Sequence, residues 1–181
     1  MIAWHVGAIL FLFRWIFQDP KVDVRFLVVG ALLPDLIDIP LGTIMLAGAL
    51  GSSEVFAHTL LVPTLVAIVI LFATRRGRRR RAWMALIVAW FLHLLIDGMW
   101  TSTEVFLWPF FGVDFPAGPE HFWGGLIDRS LSDPWRWATE AIGLAYLVWL
   151  WLATGLNQRD RRRQVLETGR LPGYVGAETS E

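Results

Sequence analysis

Seven ionisable side chains fall within, or at the ends of, long apolar runs: His5, Asp35, Asp38, His58, His93, Asp97 and Glu140. An ionisable group in a membrane-spanning segment is costly to bury and, where it occurs, faces a protein interior and marks a functional site. Imidazole with carboxylate is a ligand set for zinc, manganese or iron. His93 and Asp97 are four residues apart and share a helix face, and Asp35 and Asp38, three apart, do so if their segment is helical. The chain has no Cys, so any metal must be held by His and carboxylate. The six candidate ligands are His5, Asp35, Asp38, His58, His93 and Asp97, enough for one or two divalent ions, zinc first, with manganese or iron as alternatives. A ligand His usually donates its other N–H to a carboxylate, so some of these acids orient ligands rather than bind metal. If the site is catalytic, hydrolysis is the expected class. A bound ion lowers the pKa of a water and a free carboxylate accepts its proton, with Asp38 or Asp97 as that base.

These residues sit in a chain of 181 residues that is 55% hydrophobic and contains 11 Trp. The apolar residues come in runs long enough to cross a bilayer core of about 30 Å. The fold class read from them is all-α, a polytopic membrane protein with about five transmembrane helices. The spans are expected near 2–17, 22–50, 55–74, 82–100 and 137–155. The second is too long for one straight helix, and Pro34 and Pro40 each remove a backbone donor, so a break or kink near Pro34–Pro40 is expected. Residues 1–155 read as one membrane-embedded domain, with an irregular Gly-, Pro- and aromatic-rich segment at about 101–136. Residues 156–181 read as a polar tail: a helical stub, then disorder. Residues 1–18 read as a retained helix, not a cleaved leader, because the n-region lacks Lys and Arg and the apolar stretch contains His5 and Arg14.

Charge gives orientation. Six of the 16 Arg and Lys lie in Arg75–Arg81, five more follow Leu156, and segment 101–136 carries five acids against two Arg. The positive-inside rule then puts the N-terminus outside, segment 101–136 outside and the C-terminal tail in the cytoplasm of an inner (plasma) membrane protein. Measured from the nearest cytoplasmic Arg at a rise of about 1.5 Å per residue, the six candidate ligands fall between about 13 and 25 Å deep. Alternating span direction therefore brings them to one stratum, from mid-bilayer to the outer leaflet.

Simpler readings exist for several residues. A lone His in a span is often a packing residue, and Thr59 needs nothing beyond a hydrogen bond within the bundle. Glu140, about 28 Å above Arg159 by the same rise, fits an interfacial position. Glu120 and His121 read as solvated loop residues, and Glu104 as an outlying candidate. The Arg run is better read as an anchor against anionic headgroups than as a nucleic-acid patch, since it joins two apolar spans. Trp83, Trp100, Trp108, Trp135, Trp137 and Trp151 fall near span ends, as an aromatic belt does.

Five ordered segments carry a family resemblance: His5; Gly30-Ala31-Leu32-Leu33-Pro34-Asp35-Leu36-Ile37-Asp38; Ala57-His58-Thr59-Leu60-Leu61; Phe91-Leu92-His93-Leu94-Leu95-Ile96-Asp97; and Leu107-Trp108-Pro109-Phe110. Together they resemble the YdjM-type family of inner-membrane proteins assigned as metal-dependent hydrolases. That family shows an N-terminal His, a P-D-x-D type segment, a T-H-S segment, an S-H-x-x-x-D segment and an L-W-P-F segment in this order. Here two residues separate the acid pair instead of one, the His-Arg before T-H-S is replaced by about Ser53-Glu54, and Thr-His-Ser becomes Ala57-His58-Thr59. The resemblance implies metal ligation by His5, Asp35, Asp38, His58, His93 and Asp97. The family's hydrolase assignment rests on motif similarity to phosphoesterases, so no substrate carries over.

The sequence thus reads as a membrane-embedded metal-dependent hydrolase acting at the outer leaflet, with a lipid or other phosphoester as substrate and the lipid bilayer, not nucleic acid, as partner. Two alternatives use the same residues: a proton or cation relay, and a non-catalytic scaffold. The five spans show no internal repeat of the kind secondary transporters carry.

Overall fold

The computed structural model describes residues 1–46, 52–116 and 132–172. Glu120, His121 and the end of the tail lie outside them. Among the described residues the chain is helical, without strands. Five long or apolar helices lie in the regions expected to span, although among the described residues only Val24–Met45 is both long and apolar enough to cross a membrane: α1 (Ile2–Ile16), α2 (Val24–Pro40), α3 (Leu61–Ala73), α4 (Arg78–Ile96) and, after the short α5 (Thr103–Phe106), α6 (Pro134–Ala153). A polar helix α7 (Arg159–Thr168) follows. By length and composition Val24–Met45 is able to cross a membrane; Ile2–Ile16 and Leu61–Ala73 are apolar but shorter. Four arginines open α4, and α6 carries Arg136 and Glu140 in its first two turns.

Three of the helices start on a carboxylate that accepts from an orphan N–H group. Asp23 caps α2 by accepting from the Arg25 N–H at 3.2 Å. Asp133 caps α6 by accepting from the Trp135 N–H at 3.0 Å, with Pro134 at the first helical position. Glu140 belongs to this class: its Oε2 accepts from the Ala3 N–H at 3.0 Å, holding the start of α1 against α6.

The expected break near Pro34–Pro40 is absent. α2 runs through Pro34 to Pro40 and then widens into a π-helical turn, Leu41–Met45, in which the Leu46 N–H donates to the Leu41 carbonyl at 2.9 Å. A proline deletes one donor and crowds the turn before it, but flanking helices can hold the register and wider local hydrogen bonding takes up the strain. The third span also differs. Its helix begins only at Leu61, and His58 sits before it on a 3₁₀ turn, Phe56–His58. Thr59 closes that turn, its hydroxyl donating to the Phe56 carbonyl at 2.8 Å.

α4 is the central element. On one side Ala85, Ala89 and Leu92 join Ile9 of α1, Leu27 and Ala31 of α2 and Leu150 of α6. On the other, Ile87, Trp90 and Leu94 pack with Ile70 of α3 and with Met99 and Val105 beyond the C-terminal end of α4. Two crossings are tight. A methyl at Gly30 would strike the Leu86 carbonyl of α4, and one at Gly7 the backbone of Gly143 in α6, so glycine lets the backbones touch. The outer faces are apolar: Phe72 is 90% exposed, and Val69, Ile142 and Leu152 are exposed as well. That is an inside-out arrangement for a water-soluble chain and a natural one for a lipid-facing bundle.

One end of the bundle is basic. There Arg25 donates to the Leu166 carbonyl at 2.6 Å, Arg78 to the Thr168 carbonyl at 3.0 Å, and the Val24 N–H to the Gly169 carbonyl at 2.8 Å. The last carbonyls of α7 are thus satisfied by cations from α2 and α4, where the helix dipole favours them. The polar stub after Leu156 is docked along this end.

Candidate metal centre

The candidate ligands converge at the end of the bundle opposite the arginines. Helical periodicity does part of the work: His93 and Asp97, one turn apart on α4, point the same way, with Nε2 and Oδ2 3.0 Å apart. Asp35 faces α4 from α2, which stays helical through Pro34, and Asp38 faces the Val55–His58 segment from the same helix. His58 comes from the 3₁₀ turn and His5 from the first turns of α1.

Asp38 positions His58. Its carboxylate is fully buried and accepts from the backbone N–H groups of Val55 at 2.9 Å, Ala57 at 2.9 Å and His58 at 3.0 Å. It also takes the His58 Nδ1–H at 2.8 Å. From the far side the Trp90 indole N–H donates to the Ala57 carbonyl at 2.8 Å. The loop bearing His58 therefore hangs from one carboxylate on α2 and one indole on α4. His93, also fully buried, directs its Nδ1 at the Ala31 carbonyl, 2.7 Å away. Since a carbonyl only accepts, that nitrogen carries a proton, and in the neutral ring it is the Nε2 of His93 that holds the lone pair.

His58 and His93 therefore point their Nε2 atoms at each other, 3.4 Å apart. Asp35 Oδ1 lies 3.6 Å from His58 Nε2 and 3.8 Å from His93 Nε2, and Asp97 Oδ2 lies 3.7 Å from His58 Nε2. Ligand bonds of about 2.0–2.2 Å at tetrahedral angles separate donor atoms by about 3.3–3.6 Å. The separations found here scatter around that edge length. Asp35, His58, His93 and Asp97 could hold one metal ion, their ligand atoms all lying within 4.8 Å of one another.

His5 and Asp38 join this group from one contact further out. His5 Nε2 is 2.7 Å from Asp97 Oδ1, its Nδ1 is hydrogen-bonded to the Met1 carbonyl, and its ring stacks on His93 with centroids 4.4 Å apart. Asp38 faces the Nδ1 side of His58, away from the paired Nε2 atoms. Glu104 is exposed on α5, outside the group.

The cluster opens into a cavity of about 310 Å³ whose walls include Ile39, Ser53, Glu54, Ile96 and Arg136. Arg136 was not singled out by the sequence. Its only sequence-level signal is a cation in the first turn of a span, beside Trp135 and Trp137, where an interfacial anchor is an equally good reading. The Ala31 carbonyl and the N–H groups of Val55 and Ala57 are backbone atoms and carry no residue-type signal at all.

Residues 4–162 match the sequence pattern of the family described as YdjM inner membrane protein. No curated protein and no solved structure matches the chain.

Proposed function

The chain belongs to the YdjM inner membrane protein family, and from that premise we propose that it is a membrane-embedded metal-dependent hydrolase of phosphoester substrates. The opposed Nε2 atoms of His58 and His93, each ring fixed by an acceptor on its Nδ1, carry this reading. Two facing lone pairs repel; a cation between them turns the repulsion into ligation. His58, His93, Asp35 and Asp97 would hold the ion, with zinc the best fit to the tetrahedral edges and manganese or iron admitted by the two carboxylates.

A divalent ion supplies Lewis-acid chemistry here, polarising a phosphoryl oxygen and making water acidic enough to attack near neutral pH. The remaining work belongs to side chains. Asp38 is occupied by four donors and so orients His58 instead of acting as the base. His5 does the same for Asp97 through Oδ1. Asp35, with 31% of its side chain exposed, is the cluster carboxylate most open to the cavity, so it would be the ligand that yields its position on the ion to water and accepts that water's proton.

In this reading α1, α2, α3, α4 and α6 cross the inner membrane. The Arg75–Arg81 turn and α7 lie in the cytoplasm and the metal cavity opens toward the outer leaflet. α1 and α3, at about 20–22 Å by helical rise, are short for a 30 Å core, and local thinning or the flanking turns make up the difference. A reporter active only outside the cytoplasm should work when fused after residue 116 and fail at residue 78. The hydrolase reading is tested by turnover of a phosphoester panel before and after chelation: activity lost on chelation and restored by one divalent ion supports it, and turnover indifferent to chelator rejects it. The chain of contacts from Asp38 through His58 and Asp97 to His5 is also what a proton relay would use, and proton flux in liposomes separates the two readings.

A further inference from the structure

The metal cavity adjoins a second one. Ile96, at the end of α4, lines both the polar cavity and an apolar cleft of about 430 Å³ between α1 and α6, walled by Trp4, Ala8, Phe11, Ile142 and Gly143. The cleft lies in the size range of small-ligand pockets, about 300–1,000 Å³, yet none of these wall side chains bears a charge. At the polar cavity stands Arg136 of α6. Its nearest carboxylate, Asp133 Oδ2, is 3.8 Å from Nε, too long for a hydrogen bond, and its side chain is 34% exposed. It is a guanidinium in a cavity whose walls also carry the carboxylates of Asp35, Glu54 and Asp97, with Met1, His5 and His58 beside them. A planar guanidinium matches phosphate oxygens bidentately, and a cation here balances acids that would otherwise repel an anionic ligand.

From this juxtaposition we infer that the substrate is a phosphate ester on a long hydrocarbon chain, with Arg136 taking the phosphate and the α1–α6 cleft taking the chain. The inference rests on the metal-hydrolase reading for its chemistry, while the recognition site stands on its own residues. The reaction balances with water alone. A new P–O bond forms from the water oxygen, the ester P–O bond breaks, and the water proton passes through a carboxylate to the departing alcohol oxygen. A membrane-embedded bundle meets such molecules in the bilayer itself, and Ile96, which lines both cavities, stands where one molecule would pass from the polar cavity to the cleft.

The test is binding to the detergent-purified full chain, with metal content measured on the same samples. The probes are dioleoyl phosphatidic acid, dihexanoyl phosphatidic acid, inorganic phosphate and dioleoyl phosphatidylcholine. The long-chain phosphatidic acid should bind tightest, its short-chain counterpart at least about tenfold more weakly, and the choline lipid more weakly than the phosphatidic acid of equal chain length. Arg136→Gln should weaken both phosphatidic acids by about tenfold, with partial recovery in Arg136→Lys. Ala8→Phe, which fills the cleft, should weaken only the long-chain one. Equal binding of long and short chains by the wild type overturns the cleft, and this comparison needs no variant to fold. Unchanged headgroup preference in Arg136→Gln overturns the phosphate site. Chain- and phosphate-selective binding by protein that holds no metal would support the recognition site while removing the metal reading; metal-loaded protein without that selectivity overturns the recognition site alone.

Discussion

The Nε2 atoms of His58 and His93 face each other across 3.4 Å, although the two residues are 35 positions apart and neither ring can turn away. Asp38 Oδ2 fixes one ring at 2.8 Å and the Ala31 carbonyl fixes the other at 2.7 Å. Hydrogen bonds at both Nδ1 atoms make Nε2 the lone-pair nitrogen of each neutral ring and aim both Nε2 atoms at one point. A cation at that point would convert the facing nitrogens and the neighbouring Asp35 and Asp97 oxygens into ligands.

Asp97 and His5 should separate by role. Asp97→Asn removes a charged oxygen 3.0 Å from His93 Nε2 and should strip most of the metal from the purified protein. His5→Ala leaves all four ligand atoms and removes the hydrogen bond at 2.7 Å to Asp97 together with the ring stack on His93 and the bond to the Met1 carbonyl, so metal should remain at saturating supply with affinity about 10–100-fold weaker. Metal titration into chelator-treated protein reads both. Equal loss in the two variants would place His5 in direct contact with the ion.

Asp38→Asn should harm the fold as well as the site. Four N–H donors converge on its carboxylate, and an amide offers one oxygen and an NH₂ that must face at least one of them. An unsatisfied buried donor costs about 1–3 kcal/mol, so the melting temperature in detergent should fall and the loop before α3 should become protease-sensitive. An unchanged melting temperature would show that Asp38 does not suspend that loop.

Gly30→Ala tests the α2–α4 crossing. The added methyl meets the Leu86 carbonyl and the Ala89 side chain, neither of which yields easily, and overpacking of this kind costs about 1–3 kcal/mol. Because Ala31 is the next residue, pushing α2 outward also draws its carbonyl from His93. The variant should lose both thermal stability and metal affinity, while Gly77→Ala, where a methyl meets nothing within 4 Å, should leave metal affinity intact.

The basic end should be acid-sensitive. Burial pushes the Asp23 carboxyl up, but hydrogen bonds from Arg25 and the nearby Arg78 charge outweigh it and hold the carboxyl below the usual range. A depressed folded-state pKa contributes stability that is complete above about pH 4, the unfolded value, and is lost as pH falls through the lower folded value. Asp23→Ala should therefore lower the melting temperature at pH 7, by a cap loss of about 1 kcal/mol, and should flatten the acid limb of the stability profile. The check is a melting series from pH 7 to pH 3.

The helix order and the meeting of six distant polar residues were legible because two simple rules govern them. Apolar runs set the helices, and alternating direction sets depth, so His5, Asp35, His93 and Asp97 arrive at one level without knowledge of packing. The division of labour among them was not legible. Whether Asp38 binds an ion or holds His58 depends on which backbone N–H groups surround it, and those of Val55 and Ala57 carry no residue-type signal. The continuity of α2 through Pro34 was missed for a similar reason: proline propensity is local, whereas α1 and α4 hold the helix from both sides. Arg136 was hidden because an arginine among tryptophans at a span end already has an adequate explanation as an anchor.

The central claim is that one divalent ion sits between His58 and His93. Elemental analysis of the detergent-purified chain tests it most directly, with His58→Ala and His93→Ala prepared in parallel. The wild type should carry about one zinc, manganese or iron per chain and each variant well under a fifth of that, while all three remain folded. Wild-type protein that stays metal-free after incubation with each of these ions, or variants that retain wild-type occupancy, would contradict it.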